Sequence, residues 1–119
     1  MLISILIKLI VLVYLTSVGS FLSAGSTKYF YNGTKLYNLC RAESAIDEAL
    51  CEGYILGVQD AIYSGHLSDH FSLCLPEGVE PDQIRLQLIR YIENNPNIMN
   101  FAAEGLVAKT LETTYACKN

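Results

Sequence analysis

The sequence predicts an all-α fold: a small four-helix domain stapled by two disulfides and preceded by a cleaved signal peptide. Four stretches repeat their apolar residues at helical spacing, and none alternates apolar and polar residues over the length of a strand. Four cysteines are spread through the same region, and the chain opens on an apolar run. We therefore predict a signal peptide over residues 1–25 and one helical domain over residues 26–119.

The N-terminal segment has the order of a secretory signal peptide. An apolar run over residues 2–15 contains a single charged residue, Lys8, and mostly small and polar residues follow it at 16–20 and 23–26. The run is shorter than the roughly 20 apolar residues that span a bilayer, which favours cleavage over the alternative of a retained membrane anchor. We expect export and no stable membrane insertion after cleavage.

The first predicted helix starts at residues 32–34, Asn-Gly-Thr, which interrupt any regular structure before them. It carries Leu36, Leu39 and Cys40 on one face.

The second predicted helix covers residues 45–64 and has an unusual centre. Its apolar and small residues follow helical spacing at positions 46, 49, 50, 53, 54, 57, 58, 61 and 62. Gly53, Gly57 and Ala61 lie four residues apart, and each glycine costs about 1 kcal/mol relative to alanine inside a helix. We expect the close approach of a neighbouring helix backbone to offset that cost, and we expect Tyr54 to lie in the core.

A long irregular segment, residues 64–79, separates the second helix from the third. Pro76 and Gly78 near its end prevent a helix from running through it. The third predicted helix has Pro81 in its first turn, and its inward residues are Ile84, Leu88, Tyr91 and Ile92.

The turn at Asn95-Pro96 starts the fourth predicted helix, which ends before Tyr115. Its apolar face is the most regular in the chain: Met99, Ala102, Ala103, Leu106, Val107, Thr110 and Leu111.

Four cysteines in a short exported chain indicate a disulfide framework, for which three pairings exist. Structural zinc would favour closely spaced C-x-x-C pairs, which the sequence lacks. Because short turns make consecutive helices neighbours, we favour the pairs Cys40–Cys51 and Cys74–Cys117. The pairing of Cys51 with Cys74 and of Cys40 with Cys117 stays open. We predict no metal and no cofactor.

Charge and motifs point to binding rather than catalysis. After cleavage the domain has seven Lys and Arg against twelve Asp and Glu, an acidic balance that argues against a nucleic-acid partner. The sequence contains no recognisable nucleophile, zinc-protease or phosphate-binding motif, so we predict that the protein is not an enzyme. His66, Asp69 and His70 are close in sequence, but on an irregular loop we interpret them as solvated side chains rather than metal ligands.

Several segments together resemble one known family. They are Cys51-Glu52-Gly53-Tyr54-Ile55-Leu56-Gly57-Val58-Gln59-Asp60-Ala61, then Cys74-Leu75-Pro76, Asn95-Pro96 and the closing Tyr115-Ala116-Cys117. This set is similar to the pattern of the Rap/Tai family of immunity proteins, and it spans residues 34–117. The fold-defining residues on this reading are Gly53, Tyr54, Gly57, Asp60, Pro76 and Pro96. Ala116 stands where the family's ending has proline.

The resemblance implies a small helical periplasmic protein, often a homodimer, that binds and blocks a peptidoglycan amidase delivered by a type VI secretion system. We expect steric inhibition by the loop from Tyr63 to Glu77, whose candidate contact residues are Tyr63, His66, Asp69, His70 and Glu77. The alternative is a periplasmic helper or stress-related binding protein of the same fold without a cognate toxin.

Overall fold

The computed structural model describes residues 1–8, 29–67 and 71–118, which contain helices and no strand. The domain helices are α1 (Gly33–Arg41), α2 (Ala45–Tyr63), α3 (Pro81–Asn94) and α4 (Ala103–Tyr115), with a 3-10 turn at Pro96–Ile98. Residues 2–8 are also helical. The described ranges therefore hold five α-helical segments rather than the four predicted, because part of the proposed signal segment is helical too. Residues 9–25 of that segment lie outside the described ranges.

Local side-chain chemistry fixes where the helices begin. The Asn32 side chain accepts a hydrogen bond from the Lys35 amide at 3.0 Å at the start of α1. Ser44 has the same role before α2. Pro81 occupies the first turn of α3, where no helical partner for its nitrogen is required. These three starts follow from residue types that satisfy or remove free amide groups.

The core lies on one side of α2, which packs against α1, α3 and α4. The buried face of α2 consists of Cys51, Ile55, Val58 and Ile62. Of the nine positions in the predicted stripe, Val58 and Ile62 are buried and Tyr54 and Ala61 are half-buried. The prediction is wrong for the other five, at positions 46, 49, 50, 53 and 57, because all of them are exposed. α2 is apolar on both sides, so its spacing alone does not identify the side that packs.

The other helices bury the faces that the sequence predicts. Leu36 and Cys40 of α1 are fully buried, and Leu39 is half-buried. The third and fourth helices agree as well, with these predicted inward residues buried: Ile84, Leu88, Ile92, Ala103, Leu106, Val107, Thr110 and Leu111. Each of these three helices has a single apolar stripe, which makes the assignment of its inner face unambiguous.

The fourth helix begins later than predicted. A 3-10 turn follows Pro96, and α4 starts only at Ala103. Between them the backbone pairs with the residues before α1: the Gly33 amide donates to Phe101 O at 2.9 Å, and the Ala103 amide donates to Tyr31 O at 3.0 Å. This long-range pairing holds the connection extended, which local sequence does not reveal.

Close backbone approach occurs at Gly33, not on α2. A Cβ at Gly33 would lie 2.7 Å from Leu106 Cδ1 and 2.9 Å from Met99 O. A Cβ at Gly53 or Gly57 would meet no described atom within 4 Å. The predicted approach of a neighbouring helix to Gly53 and Gly57 is therefore wrong within one protomer, and their cost in helix propensity is not offset there.

Both favoured disulfides are confirmed. Cys40–Cys51 joins α1 to α2 across 11 residues, and Cys74–Cys117 closes 43 residues. In the chain-entropy model the two bonds stabilise the fold by about 3 and about 4 kcal/mol. The longer one fastens the irregular segment to the chain's end, where the Cys74 amide also donates to Tyr115 O at 2.8 Å.

Among the helices of the described ranges, none combines the length and apolar character that crossing a bilayer requires.

Replacing glycine by alanine is expected to stabilise the domain at Gly53 and Gly57 but to destabilise it at Gly33. Gly53→Ala and Gly57→Ala should each raise the free energy of unfolding by about 0.5–1 kcal/mol, because alanine favours helix and the added methyl meets no described neighbour. Gly33→Ala should lower it by about 1–3 kcal/mol through overpacking against Met99 and Leu106. Urea unfolding followed by circular dichroism measures all three, and a shared sign would contradict the packing described.

The two disulfides should differ in reactivity. Cys40 and Cys51 are fully buried, whereas Cys74 is exposed and Cys117 is half-buried. Mild phosphine reduction followed by alkylation and mass spectrometry is expected to label Cys74 and Cys117 first, because attack on a disulfide depends on access to its sulfur atoms. Labelling of all four cysteines at one rate would show that the domain opens globally before either bond is reduced.

Candidate functional site

The predicted contact loop starts at the end of α2. Tyr63 is the last residue of that helix and is 54% exposed. Its hydroxyl accepts a hydrogen bond from the Leu75 amide at 3.2 Å, which links the two ends of the loop. The exposed His66 lies beside it, with Nδ1 2.7 Å from Ser64 Oγ. Asp69 and His70 lie outside the described residues.

Glu77 is exposed at the far end of the same segment, in a turn where Gly78 has a φ of 81°. No described contact joins Glu77 to Tyr63 or His66, so the structure does not bring these three predicted residues into one cluster. The loop is nevertheless anchored, because Leu73 is buried and pairs with Ala116 in an antiparallel bridge. Leu73 is therefore fixed beside the residue that follows α4.

The residues assigned as fold-defining have different roles. Tyr54 meets Tyr31 edge to face, with ring centroids 5.5 Å apart, and so fastens the residues before α1 to α2. Burial, and then the nearby carboxylate of Glu104, raise the pKa of the Tyr54 phenol above its ordinary value. Pro96 opens the 3-10 turn, and Pro76 is exposed in the loop.

The sequence reasoning missed a surface, which we name the outer face of α2: Ile46, Ala49, Leu50, Gly53, Leu56, Gly57 and Asp60. All seven residues are exposed. The large ones are Ile46 at 73%, Leu50 at 54% and Leu56 at 37% exposure. The apolar stripe that marked this face was visible in the sequence, but it was assigned to the core. An apolar face of this kind on a protein surface is typical of an interaction site.

The carboxylates of Glu48, Glu52 and Asp82 lie within 4.8 Å of one another, a spacing that resembles a cation site. A guanidinium already occupies their centre: Arg85 Nη2 lies 2.9 Å from Glu48 Oε1 and contacts Asp82, and Nε lies 3.6 Å from Glu52 Oε1. Nη1 also donates to Cys40 O at 3.1 Å. We therefore interpret the cluster as an ion-pair network that connects α1, α2 and α3 rather than as a metal centre.

An apolar cleft of about 420 Å³ lies where α3, α4 and the 3-10 turn meet. Phe71, Tyr91 and Phe101 line it, and Lys109 is its charged residue. Lys109 Nζ lies 2.6 Å from Glu112 Oε2, and this hydrogen bond raises the pKa of the ammonium group. Because that cation is already paired, the cleft offers little to orient a charged ligand.

A helical domain with two disulfides, an anchored loop and an exposed apolar helix face has the features of a binding protein. The family model of Rap1a immunity proteins matches residues 32–117. The chain belongs to this family. The match covers all four domain helices and both disulfides. A comparison with curated proteins found no match. Membership in the Rap1a immunity family implies that the protein binds a toxin effector.

Arg85 is expected to contribute to the free energy of unfolding. Arg85→Met leaves three neighbouring carboxylates without their shared cation and is expected to lower the free energy of unfolding by about 1–3 kcal/mol, a range reduced for the partial exposure of the acids.

Arg90→Met is the matched control on the same helix, because Arg90 is exposed and, among the described residues, donates a hydrogen bond only to Leu86 O. It should change the free energy of unfolding by no more than about 0.5 kcal/mol. Urea unfolding compares the two variants. Equal decreases in the free energy of unfolding would show that Arg85 does not hold the three helices together.

Proposed function

We propose that this protein is a periplasmic immunity protein that binds a peptidoglycan amidase delivered by a type VI secretion system and blocks it sterically. The observation that supports this most directly is the match to Rap1a immunity proteins over residues 32–117. The two disulfides favour an oxidising compartment such as the periplasm, since such bonds rarely persist in the cytosol. The proposal includes removal of residues 1–25 as a signal peptide.

The anchored loop supports a steric mechanism. Its exit from the core is fixed by the bridge of Leu73 with Ala116 and by the adjacent Cys74–Cys117 bond. Residues that are already held in place, as Tyr63 and Leu73 are, lose little conformational freedom on binding, so more of their contact energy appears as affinity. We propose that Tyr63, His66 and Glu77, together with Asp69 and His70, contact the enzyme from this segment.

Binding alone suffices for protection, and we propose that the protein has no catalytic activity of its own. An inhibitor that fills the cleft of a cell-wall amidase prevents peptidoglycan from reaching the catalytic groups. We also propose the homodimer that the family resemblance implies, with sedimentation velocity on the purified domain as its measurement. The alternative function is a periplasmic helper that binds exported proteins without a cognate toxin.

Affinity capture tests the function. The oxidised domain is immobilised and exposed to periplasm and culture fluid of cells that carry the gene, and captured proteins are identified by mass spectrometry. The expected result is a single peptidoglycan amidase that loses hydrolytic activity when the domain is added at an equimolar amount. Recovery of unrelated exported proteins, with no inhibition of any amidase, would support the helper function instead.

The loop is tested by alanine replacement at Tyr63, His66 and Glu77 together. We expect the triple variant to bind the captured amidase at least tenfold more weakly, because three exposed side chains are lost together with the hydrogen bond from the Leu75 amide to the Tyr63 hydroxyl. Titration calorimetry measures the affinity. Lys35→Ala, at an exposed position of α1, is the matched surface control and should leave affinity within twofold. Unchanged affinity in the triple variant would exclude these loop residues from the interface.

A further inference from the structure

The outer face of α2 carries the exposed apolar residues Ile46, Leu50 and Leu56. Between Ile46 and Asp60 the exposed positions follow steps of three or four residues, as a contact stripe requires. A helix that is apolar on both sides is usually covered on both sides. In α2 only the side that carries Cys51 and Ile55 is covered by the rest of the described chain. The outer face therefore has the composition of an interface.

The outer face also contains two glycines that nothing within the described chain requires. Gly53 and Gly57 weaken the helix relative to alanine, and no described atom lies near a Cβ built at either position. Neither a tight turn nor a left-handed backbone explains them, because the positive φ values of the described glycines are at Gly65 and Gly78. A partner whose backbone approaches this face would need their missing side chains.

Charge identifies the kind of partner. Asp60 lies on the outer face and is exposed, and no described residue forms an ion pair or a side-chain hydrogen bond with its carboxylate. α2 contains three further acids and no Lys or Arg. A covered Asp60 is stable only opposite a donor, and a basic side chain is the strongest one.

A second copy of this chain fits the charge pattern poorly. Two outer faces placed together would cover both Asp60 carboxylates without a Lys or Arg from either face, while the acids Glu48 and Glu52 are already paired with Arg85. The nearest basic residue that precedes α2, Arg41, already bonds to Tyr37 at 2.9 Å and lies 3.9 Å from Glu93. The face is complementary to a different protein that offers an apolar segment beside basic side chains.

We propose that the outer face of α2 binds the amidase effector, through an apolar segment of that enzyme whose backbone lies over Gly53 and Gly57 and whose Lys or Arg pairs with Asp60. The inference rests on the proposed function and adds a contact surface to it. Tyr63 belongs to the same helix, so the outer face and the anchored loop are consecutive along the chain. The effector would contact the helix side with one segment and receive the loop with its cleft.

The test measures binding of the purified, catalytically inactivated amidase recovered by affinity capture, using titration calorimetry with the oxidised domain. Leu50→Arg places a charge in the apolar stripe and is expected to weaken binding at least 100-fold. Leu86→Arg is the matched control: this exposed leucine is on α3, and the change should leave affinity within twofold.

Two further variants distinguish a loss of contacts with the partner from damage to the fold. Gly53→Ala is expected to raise the unfolding temperature and yet weaken binding about tenfold, a combination that damage to the fold cannot produce. Asp60→Asn should slow association several-fold at low salt and make the association rate less sensitive to salt. Stopped-flow fluorescence measures the association rate.

The outcomes distinguish the two proposals. If the unmodified domain neither binds nor inhibits the amidase, the proposed function fails and this inference fails with it. If the unmodified domain inhibits the amidase but Leu50→Arg, Gly53→Ala and Asp60→Asn all bind within twofold of it, the function stands and the outer face is not the effector surface. Sedimentation velocity adds a third outcome: a dimer that Leu50→Arg converts to monomer would show that a second copy covers this face, which also overturns the inference.

Discussion

The packing of one side of α2 is the interaction on which the rest of the structure depends. Cys51, Ile55, Val58 and Ile62 lie in a row along that side, and α1, α3 and α4 all contact the helix. A domain of this size buries only a modest share of its surface, so its core depends on the contacts of α2 with all three other helices. The Cys40–Cys51 bond holds α1 against α2 at one end of the row. Because three helices share one side of α2, the other side is left without a neighbour from the described chain.

The inner face of a helix could be predicted from the sequence where the helix has one apolar stripe, but not in α2, which has two. In α3 the residues Ile84, Leu88 and Ile92 admit a single inner face, and the prediction is confirmed. In α2 the spacing supports two faces, and the predicted stripe combined residues of both: Val58 and Ile62 are buried, whereas Leu50 is exposed. The disulfide held the missing information: if Cys51 bonds to Cys40 on the preceding helix, then Cys51 and Ile55 must face inward.

Other parts of the structure lie beyond any reading of local sequence. The close approach at Gly33 arises because Met99 and Leu106, far along the chain, pack against the start of α1. A glycine that follows asparagine resembles an ordinary helix start, so nothing nearby distinguishes it from a flexible position. The binding site shares this difficulty. Tyr63 and its loop could be proposed as a surface from composition, but the bond between its hydroxyl and the Leu75 amide depends on the path of the loop.

The uncovered side of α2 also bears on how an immunity protein meets a toxin. Protection requires the inhibitor to reach the enzyme before it damages the cell wall, which places a demand on the association rate as well as on affinity. Asp47 and Asp60 of α2, which form no ion pair with a described residue, attract a basic partner over distances of about 8–10 Å at physiological salt, and such steering raises association rates. The apolar residues of the outer face act later, when the surfaces touch and water is excluded. Stapling by two disulfides keeps the surface in its binding shape throughout, so little conformational freedom is lost at contact. The absence of side chains at Gly53 and Gly57, which weakens the isolated helix, then becomes the condition for a close and specific contact with its partner.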